Sequence, residues 1–239
     1  MEILIQLTGR KKEAQGTETF IFRKPPGFTY KAGQFAIFKL VELKIPDQGG
    51  LSRHFTLCTS PTDTDIAFTT RMRAESTYKQ ALARMQPGSM MKFQGPMGSF
   101  VFPESQENTH VMIAGGIGVT PFRSMIRYAI AKNLEVPIHL VCSNPAPDMI
   151  PYREELDTIV KTHPHIRVSH TITCDEPVSD WTGYTGMIDE SLLKKLISDF
   201  AKPIFWISGP PPMVEAMSGL VRSIGLPRER IKFEKFTGY

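Results

Sequence analysis

Two patterns of hydrophobic and polar residues divide the chain. Up to about residue 103, short apolar or alternating runs are separated by clusters of Gly, Pro and Asp, as in strands joined by turns. Six such runs read MEILIQLT, TETFIFR, QFAIFKLVEL, RHFTLC, DIAFTTRM and MMKFQG. One helical stretch, TYKQALARM, interrupts them, and Ser76 stands where it can cap the first free amides. This half predicts a small antiparallel β-barrel over residues 1–103.

From about residue 109, strand-like and helical runs alternate. The strand-like runs are HVMIA, VPIHLVC, IRVSHTIT, PIFWIS and RIKFEKF, and the helical runs are PFRSMIRYAIAK, YREELDTIVKT, DESLLKKLISDF and PPMVEAMSGLVRSI. This alternation predicts a parallel sheet covered by helices. We therefore expect an α/β domain over residues 109–239, joined to the barrel by the polar stretch 104–108.

Composition narrows the class of protein. The chain has 239 residues, 41% of them hydrophobic, and a net charge of +4, which excludes a disordered chain. The N-terminal segment is first apolar and then basic, the reverse of a secretory signal, and no apolar run approaches the roughly 18 residues of a membrane helix. We expect a cytoplasmic protein without membrane insertion. The basic residues are scattered, which argues against nucleic acid binding.

The metal-binding residue types are sparse. Cys58, Cys142 and Cys174 are far apart in sequence, so no short-spaced pair is available for zinc, an iron–sulfur cluster or a redox CxxC motif. His163 and His165 flank a proline in a predicted turn without further ligands nearby. We expect no metal site and no iron–sulfur cluster in this chain.

The most informative local motif is GGIGVTP at residues 115–121. A strand runs into its glycines and a helix follows, so the backbone can approach a pyrophosphate at the positive end of the helix. Pro121 suits the first helical turn. An ordinary strand-to-helix turn in any α/β protein is the alternative.

Two further motifs are weak evidence when taken singly and become informative through the order in which the motifs occur. In SRHFT (residues 52–56), an arginine suits a diphosphate, an aromatic ring suits stacking on a flat heterocycle, and a hydroxyl can donate to a ring nitrogen. In SGPPPM (residues 208–213), small residues end a buried strand at the sheet edge where α/β folds bind ligands. Each motif alone also fits an ordinary strand or turn.

Taken together, five motifs in order resemble the flavin-dependent ferredoxin–NADP reductase superfamily, here a compact, stand-alone bacterial type. They are SRHFT, GPMGSF at 95–100, GGIGVTP, SGPPPM and the terminal FTGY at 236–239. The resemblance covers nearly the whole chain. It implies a Greek-key barrel that binds FAD and an α/β domain that binds NAD(P).

The resemblance also implies roles for residues on the flavin side. Arg53 would hold the pyrophosphate, Phe55 would stack on the isoalloxazine in place of the commoner Tyr, and Thr56 would face flavin N5. Ser76 and Thr77 would lie at the helix start that caps the FAD phosphates, and Phe236 first, Tyr239 second, would cover the flavin face. His54 is also a predicted FAD contact. The remaining predicted FAD contacts lie on the strand beside the flavin and are Thr69, Thr70, Arg71 and Met72.

On the nicotinamide side, the resemblance makes Ser208 an aligning residue where many members have Cys. Thr56 and Ser208 are therefore the predicted catalytic pair. The other predicted dinucleotide contacts are Gly115, Gly116, Gly118, Thr120, Pro121, Ser143, Asn144, Gly209, Pro210 and Met213. The loop after Ser143 and Asn144 offers no arginine for a 2′-phosphate, with Arg153 on the next helix as a substitute, so NADH is favoured over NADPH.

The resemblance predicts a reductase that moves a hydride from NAD(P)H to bound FAD and passes electrons to an external acceptor such as ferredoxin or flavodoxin. A small redox protein is the expected partner. The alternatives are the reductase component of an oxygenase, a free-flavin or quinone reductase, and a flavin-binding electron-transfer subunit without nicotinamide activity of its own.

Overall fold

A computed structural model describes residues 2–42, 45, 48–104, 108–174 and 178–237. Within these ranges the first half of the chain has six strands and one helix, as its pattern predicts. They are β1 (Ile3–Ala14), β2 (Thr17–Arg23), β3 (Phe35–Leu40), β4 (Ser52–Thr56), β5 (Asp65–Arg71), α1 (Thr77–Arg84) and β6 (Met90–Met97).

These six strands form one antiparallel sheet in the order β4-β3-β6-β1-β2-β5. Its two edges meet, because the Cys58 amide donates to the Ala67 carbonyl at 2.9 Å and the rings of Phe55 and Phe68 stack with centroids 4.1 Å apart. The inward-facing positions are aromatic and aliphatic, and several phenylalanines are wholly buried. Each such ring contributes about 1.5–3 kcal/mol through apolar burial, which makes this core the main stabilising feature of the barrel.

The second half builds a parallel sheet with helices on both faces. Its elements are β7 (His110–Gly115), α2 (Val119–Ala131), β8 (Ile138–Asn144), α3 (Arg153–Thr162), β9 (Ile166–Ile172), β10 (Tyr184–Thr185), α4 (Glu190–Leu196), β11 (Ile204–Gly209), α5 (Pro211–Ser223) and β12 (Ile231–Lys235). The two-residue strand β10 was not predicted, because it is too short to show an alternating pattern. Helix α4 ends at Leu196, four residues before the end of its predicted run.

The parallel sheet has the order β10-β9-β8-β7-β11-β12. The chain goes from β7 to one side through β8, then crosses to the other side to place β11 against β7. At such a reversal the carboxyl ends of neighbouring strands open a crevice where α/β folds bind ligands. The strand order therefore places the ends of β7 and β11 at the centre of the candidate site. An antiparallel sheet in the first half, followed by a parallel sheet with helices in the second half, confirms the predicted fold class.

The two sheets are joined by polar contacts from α2. The Arg123 guanidinium donates to the Cys58 carbonyl at 2.8 Å, and the Ser124 hydroxyl donates to the Thr59 carbonyl at 2.6 Å. Arg127 adds an ion pair of 3.2 Å to Asp63. The division at 1–103 and 109–239 stays a prediction, while the strands of the two sheets lie at 3–97 and 110–235.

Neither a membrane-spanning helix nor a cluster of metal-binding side chains occurs among the described residues. None of the helices within these residues is long and apolar enough to cross a membrane. In the same ranges, no group of three or more His, Cys, Asp or Glu side chains could hold a metal ion.

A buried histidine lies at the foot of the parallel sheet. His110 begins β7, is fully buried, and accepts a hydrogen bond of 3.1 Å at Nδ1 from Trp206 Nε1. Its Nε2 is also buried and has no hydrogen-bond partner within the described part of the chain. Burial lowers the pKa of His110 from 6.5 to about 4.

This pKa predicts a loss of stability in mild acid. Between pH 6.5 and 4 the unfolded chain binds a proton at His110 and the folded chain does not, so the free energy of unfolding falls as the pH falls. From pH 7.5 to pH 5, urea unfolding should show a loss about 2 kcal/mol larger in the wild type than in His110→Gln. His163→Gln, on a half-exposed histidine, should behave as the wild type. Equal losses in His110→Gln and the wild type would contradict this origin.

Candidate functional site

The glycine motif and the SGPPPM motif meet at the carboxyl edge of the parallel sheet. Gly116–Gly118 forms a 3₁₀ turn between β7 and α2. A Cβ on Gly118 would lie 2.2 Å from the Ser208 carbonyl oxygen, so only glycine lets the turn pass this close to β11. A Cβ on Gly115 would likewise lie 2.5 Å from Met213 Sδ. The tertiary structure thus joins two motifs that are about 90 residues apart in the sequence.

The remaining members of the glycine motif shape the start of α2. Gly116 has φ +53°, and the Thr120 hydroxyl donates to the Ile117 carbonyl at 3.0 Å. Thr120 and Pro121 are buried in the first turn, so their side chains build the turn and leave its backbone to face a ligand.

Two polar side chains lie beside this turn on neighbouring strands. Ser208 on β11 is fully buried, and its Oγ has no partner among the described residues. Glu234 on β12 is in register with Ser208, and its Oε2 is buried without a described partner as well. Burial raises the pKa of Glu234 to about 7. Sequence reasoning missed Glu234, because one glutamate in an alternating strand gives no signal of burial.

The predicted flavin residues line the β4–β5 seam of the barrel. Phe55 is half-buried, with Phe68 stacked on its ring and the Lys79 ammonium 4.5 Å from its centroid. Lys79 in α1 is buried and donates to the Thr70 hydroxyl. For Phe55 to stack on an isoalloxazine, the Lys79 side chain therefore has to move away from the face of the ring. Sequence reasoning missed Lys79, since a lysine in a helix normally indicates an exposed face.

The other side chains of the SRHFT motif differ in their exposure to solvent. Arg53 donates to the carbonyls of Gly50 at 3.1 Å and Ser52 at 2.8 Å, and its guanidinium lies 4.8 Å from the Tyr78 ring centroid. His54 is exposed, whereas Thr56 is buried. The arginine is thus folded onto the loop that precedes it.

Helix α1 begins near the same seam. Ser76 is its N-cap, and its hydroxyl accepts from the Lys79 amide at 3.4 Å. The Thr77 hydroxyl is buried without a partner among the described residues. Met72 packs against the barrel core.

Arg71 connects the two halves of the site. It ends β5 in the barrel, and its Nη2 lies 3.7 Å from the position of a Cβ on Gly116 in the other domain. Within the described residues the Arg71 side chain has no ion pair, and it is half-buried. A guanidinium so placed suits the diphosphate of a ligand bound at the glycine turn.

Five further predicted residues lie at the edge of this cleft, apart from it, or outside the described residues. The Thr69 hydroxyl is hydrogen-bonded to Thr19 within the barrel, at 2.5 Å, and to Tyr152 of the other domain. Asn144 is buried, while Ser143 is half-buried beside Gly115. Phe236 follows β12, and its amide donates to the Gly209 carbonyl at 2.9 Å, which holds the tail beside β11. Tyr239 lies outside the described residues.

These residues fit a dinucleotide. The glycine turn offers bare backbone, and a Cβ on Gly116 would meet no atom within 4 Å except Arg71. The orphaned hydroxyl of Ser208 provides an unused hydrogen-bonding group beside it. On the barrel side, Arg53, Lys79 and the N-terminus of α1 supply positive charge that suits a second diphosphate.

Comparison with known proteins agrees with this geometry. Residues 112–219 match the family profile of the oxidoreductase NAD-binding domain. The chain is 28% identical over 232 residues to the glycine betaine monooxygenase reductase subunit of Chromohalobacter salexigens, covering 94% of this chain and 61% of that protein. Residues 112–219 therefore belong to the oxidoreductase NAD-binding domain family. This match and the relative named above confirm the predicted resemblance to ferredoxin–NADP reductases.

Two further proteins are similar to this chain in sequence or in fold. NADH-cytochrome b5 reductase 1 of Aspergillus oryzae is 31% identical over 163 residues, covering 65% of this chain and 55% of that protein. A solved structure of a ferredoxin NADP+ reductase from Neisseria gonorrhoeae, with bound FAD and NADP, shares the fold with a TM-score of 0.82 at 19% identity, covering 98% of both chains. The chain therefore spans less than two thirds of the two curated relatives named here.

The close approach at Gly118 predicts a strong effect of one methyl group. Gly118→Ala places a Cβ against backbone atoms of β11, which must shift, so the free energy of unfolding should fall by about 1–3 kcal/mol in urea unfolding. Gly219→Ala is the matched control, because it adds the same methyl in α5 with nothing within 4 Å. The control should be neutral or more stable by up to about 1 kcal/mol. Equal effects of the two substitutions would refute the steric argument.

Proposed function

We propose that this protein is an FAD-dependent NAD(P)H reductase that delivers electrons to an external protein acceptor. The observation that carries the proposal is the meeting of Arg71, at the end of β5, with Gly116 in the dinucleotide turn. Two ligand-binding regions from different domains share this cleft. When bound, FAD supplies the chemistry of accepting a hydride and releasing electrons singly or in pairs.

The protein's own contribution is position and charge. Arg53 and Lys79 provide cations for the FAD diphosphate, while Arg71 and the glycine turn hold the diphosphate of the nicotinamide dinucleotide. Ser208 presents its free hydroxyl where β11 ends and aligns the nicotinamide. Glu234, with its pKa near 7, keeps a proton on the buried carboxyl at mildly acidic pH and avoids an uncompensated charge beside Ser208.

The preferred nucleotide is NADH. Arg153, the candidate partner of a 2′-phosphate, lies 5.2 Å from the Trp181 ring centroid and 3.9 Å from an Asp157 carboxylate oxygen. Both contacts occupy its guanidinium. The similarity to an NADH-cytochrome b5 reductase supports the same choice.

A reductase component of an oxygenase is the second candidate function. The alignment with the glycine betaine monooxygenase reductase subunit favours it, because this alignment covers 94% of the chain. In both proposals the acceptor is a separate redox centre, and the chemistry within this chain is the same.

The proposed reductase activity has a direct test. The holoprotein with bound FAD should lose its visible flavin absorbance when mixed anaerobically with NADH, and more slowly with NADPH at equal concentration. Rapid-mixing absorbance measures both rates. No bleaching with either nucleotide would support a flavin-binding subunit instead, and faster bleaching with NADPH would reverse the nucleotide preference.

Arg71 can be assigned to one cofactor by a charge-removing substitution. Arg71→Ala should weaken NADH binding about tenfold, since it removes a charge-assisted hydrogen-bonding group at the glycine turn, and should leave FAD bound. Titration of the FAD-loaded protein with NAD+ or NADH measures this affinity. Arg84→Ala, which removes the same charge from the exposed end of α1, is the control. Loss of FAD with unchanged NADH affinity would instead assign Arg71 to the flavin.

A further inference from the structure

Tyr152 adopts a backbone conformation that is rare for its residue type. It immediately precedes α3 with φ 59° and ψ 21°, in the left-handed region, and its side chain is buried. Among the described residues other than glycine, Asn133 alone shares a positive φ, and asparagine tolerates this region well. A tyrosine persists there when the surrounding contacts determine its position strongly.

The contacts of the Tyr152 hydroxyl cross from the α/β domain into the barrel. Its Oη bonds to Thr69 Oγ1, which lies 2.5 Å from Thr19 Oγ1, and Thr19 in turn donates to a Glu13 carboxylate oxygen at 3.0 Å. The carboxylate only accepts, so Thr19 must accept from Thr69, and Thr69 must accept from Tyr152. Each hydroxyl donates once, and the chain of hydrogen bonds ends on a charged, largely buried carboxylate.

The Tyr152 ring is held from the other side by Arg123. The guanidinium carbon lies 4.6 Å from the ring centroid, while the same arginine donates to the Cys58 carbonyl and to Glu155 Oε2, each at 2.8 Å. One guanidinium thus contacts the tyrosine, the barrel and α3. The hydroxyl of Tyr152 thus contacts the barrel directly, and its ring contacts an arginine that also bonds to the barrel.

The position of Thr69 on β5 links the Tyr152 hydroxyl to both predicted cofactor-binding regions. Thr69 is the residue before Thr70, which accepts from Lys79 at the flavin side, and it lies two residues before Arg71, which reaches Gly116. The hydroxyl of Tyr152 therefore fastens the end of β5 to the domain that carries the glycine turn. The offset between the two cofactor-binding regions depends on this attachment.

We propose that Tyr152 is a positioning residue for hydride transfer, because its hydrogen bond to Thr69 sets the end of β5 relative to the dinucleotide turn. This inference rests on the proposed reductase function. It is independent of cofactor affinity, since Tyr152 lies at the contact between the domains and each cofactor keeps its own binding residues. Hydride transfer is sensitive to such an offset, as a misplacement of about 1 Å can lower a rate about a hundredfold.

The test uses the FAD-loaded protein and four variants. Tyr152→Phe removes the hydroxyl and keeps the ring, and Thr69→Val removes its acceptor at nearly equal volume. The double variant completes a cycle for the pair. Tyr128→Phe is the matched control, because its hydroxyl bonds on an exposed surface to Glu104, in the connecting stretch and away from β5.

We expect the limiting rate of flavin bleaching by NADH to fall about tenfold in Tyr152→Phe and in Thr69→Val. The double variant should be no slower than either single variant, and the control should match the wild type. The dissociation constants of FAD and NAD+ should change less than twofold. The long-wavelength charge-transfer absorbance of the complex with NADH should weaken, which a loss of stability alone would not cause. A wild-type bleaching rate in Tyr152→Phe would overturn the proposal.

A second readout separates this inference from the proposed function. Amide hydrogen exchange at residues 69–71 should be faster in Tyr152→Phe and unchanged in Tyr128→Phe. If the wild type itself is not bleached by either nucleotide, the proposed function fails, and the positioning role in hydride transfer fails with it. Faster exchange would then still establish the attachment of β5, and unchanged exchange would overturn the attachment itself.

Discussion

The arrangement of the candidate site depends on the hydrogen bonds that α2 makes to the barrel. This helix starts at the glycine turn, and its next residues, Arg123 and Ser124, donate to the carbonyls of Cys58 and Thr59. Those two carbonyls follow the SRHFT motif almost directly. One helix therefore shapes the dinucleotide turn and holds the strand end that carries the predicted flavin residues. Together with the bond from Tyr152 to Thr69, these bonds define the separation of the two motifs.

The polar groups of this interface are buried or half-buried, and they are stable because they satisfy one another. Glu155 accepts from Arg123 at 2.8 Å and from Arg127 at 3.0 Å, and these arginines lower the pKa of its carboxyl despite the opposing effect of burial. Burial raises the pKa of Tyr152 well above 10, so its hydroxyl keeps its proton and remains a donor. Directional bonds of this kind determine one relative orientation, which apolar packing alone would leave less defined.

The cleft itself differs from this interface, because several of its polar groups have no partner among the described residues. Ser208 Oγ, Thr77 Oγ1 and Glu234 Oε2 are buried and unsatisfied in that part of the chain. Buried polar groups are normally hydrogen-bonded, and clusters of exceptions occur where a ligand completes the bonding. The interface groups named above are hydrogen-bonded within the protein, whereas these three cleft groups are available to a ligand.

The sequence alone determined the number of barrel strands, the order of the α/β elements and the motifs, because periodicity, turn residues and glycine spacing act locally. The two-residue strand β10 was not predicted, since so short a strand shows no alternating pattern. The residues of GGIGVTP and SGPPPM were also identified from the sequence, and the structure brings both to one sheet edge. Their roles toward the cofactors stay predictions.

Only the tertiary structure decided which side chains face the cleft. Thr69 and Arg71 lie on one strand, yet Thr69 bonds to Tyr152 between the domains while Arg71 reaches Gly116. Lys79 and Glu234 carry charges that a helix and an edge strand usually expose, yet both are largely buried. Local sequence specifies which face of an element is apolar, but burial of a charge depends on contacts with residues that are distant in the chain. For that reason the fold was predictable from the pattern, and the electrostatics of its cleft were not.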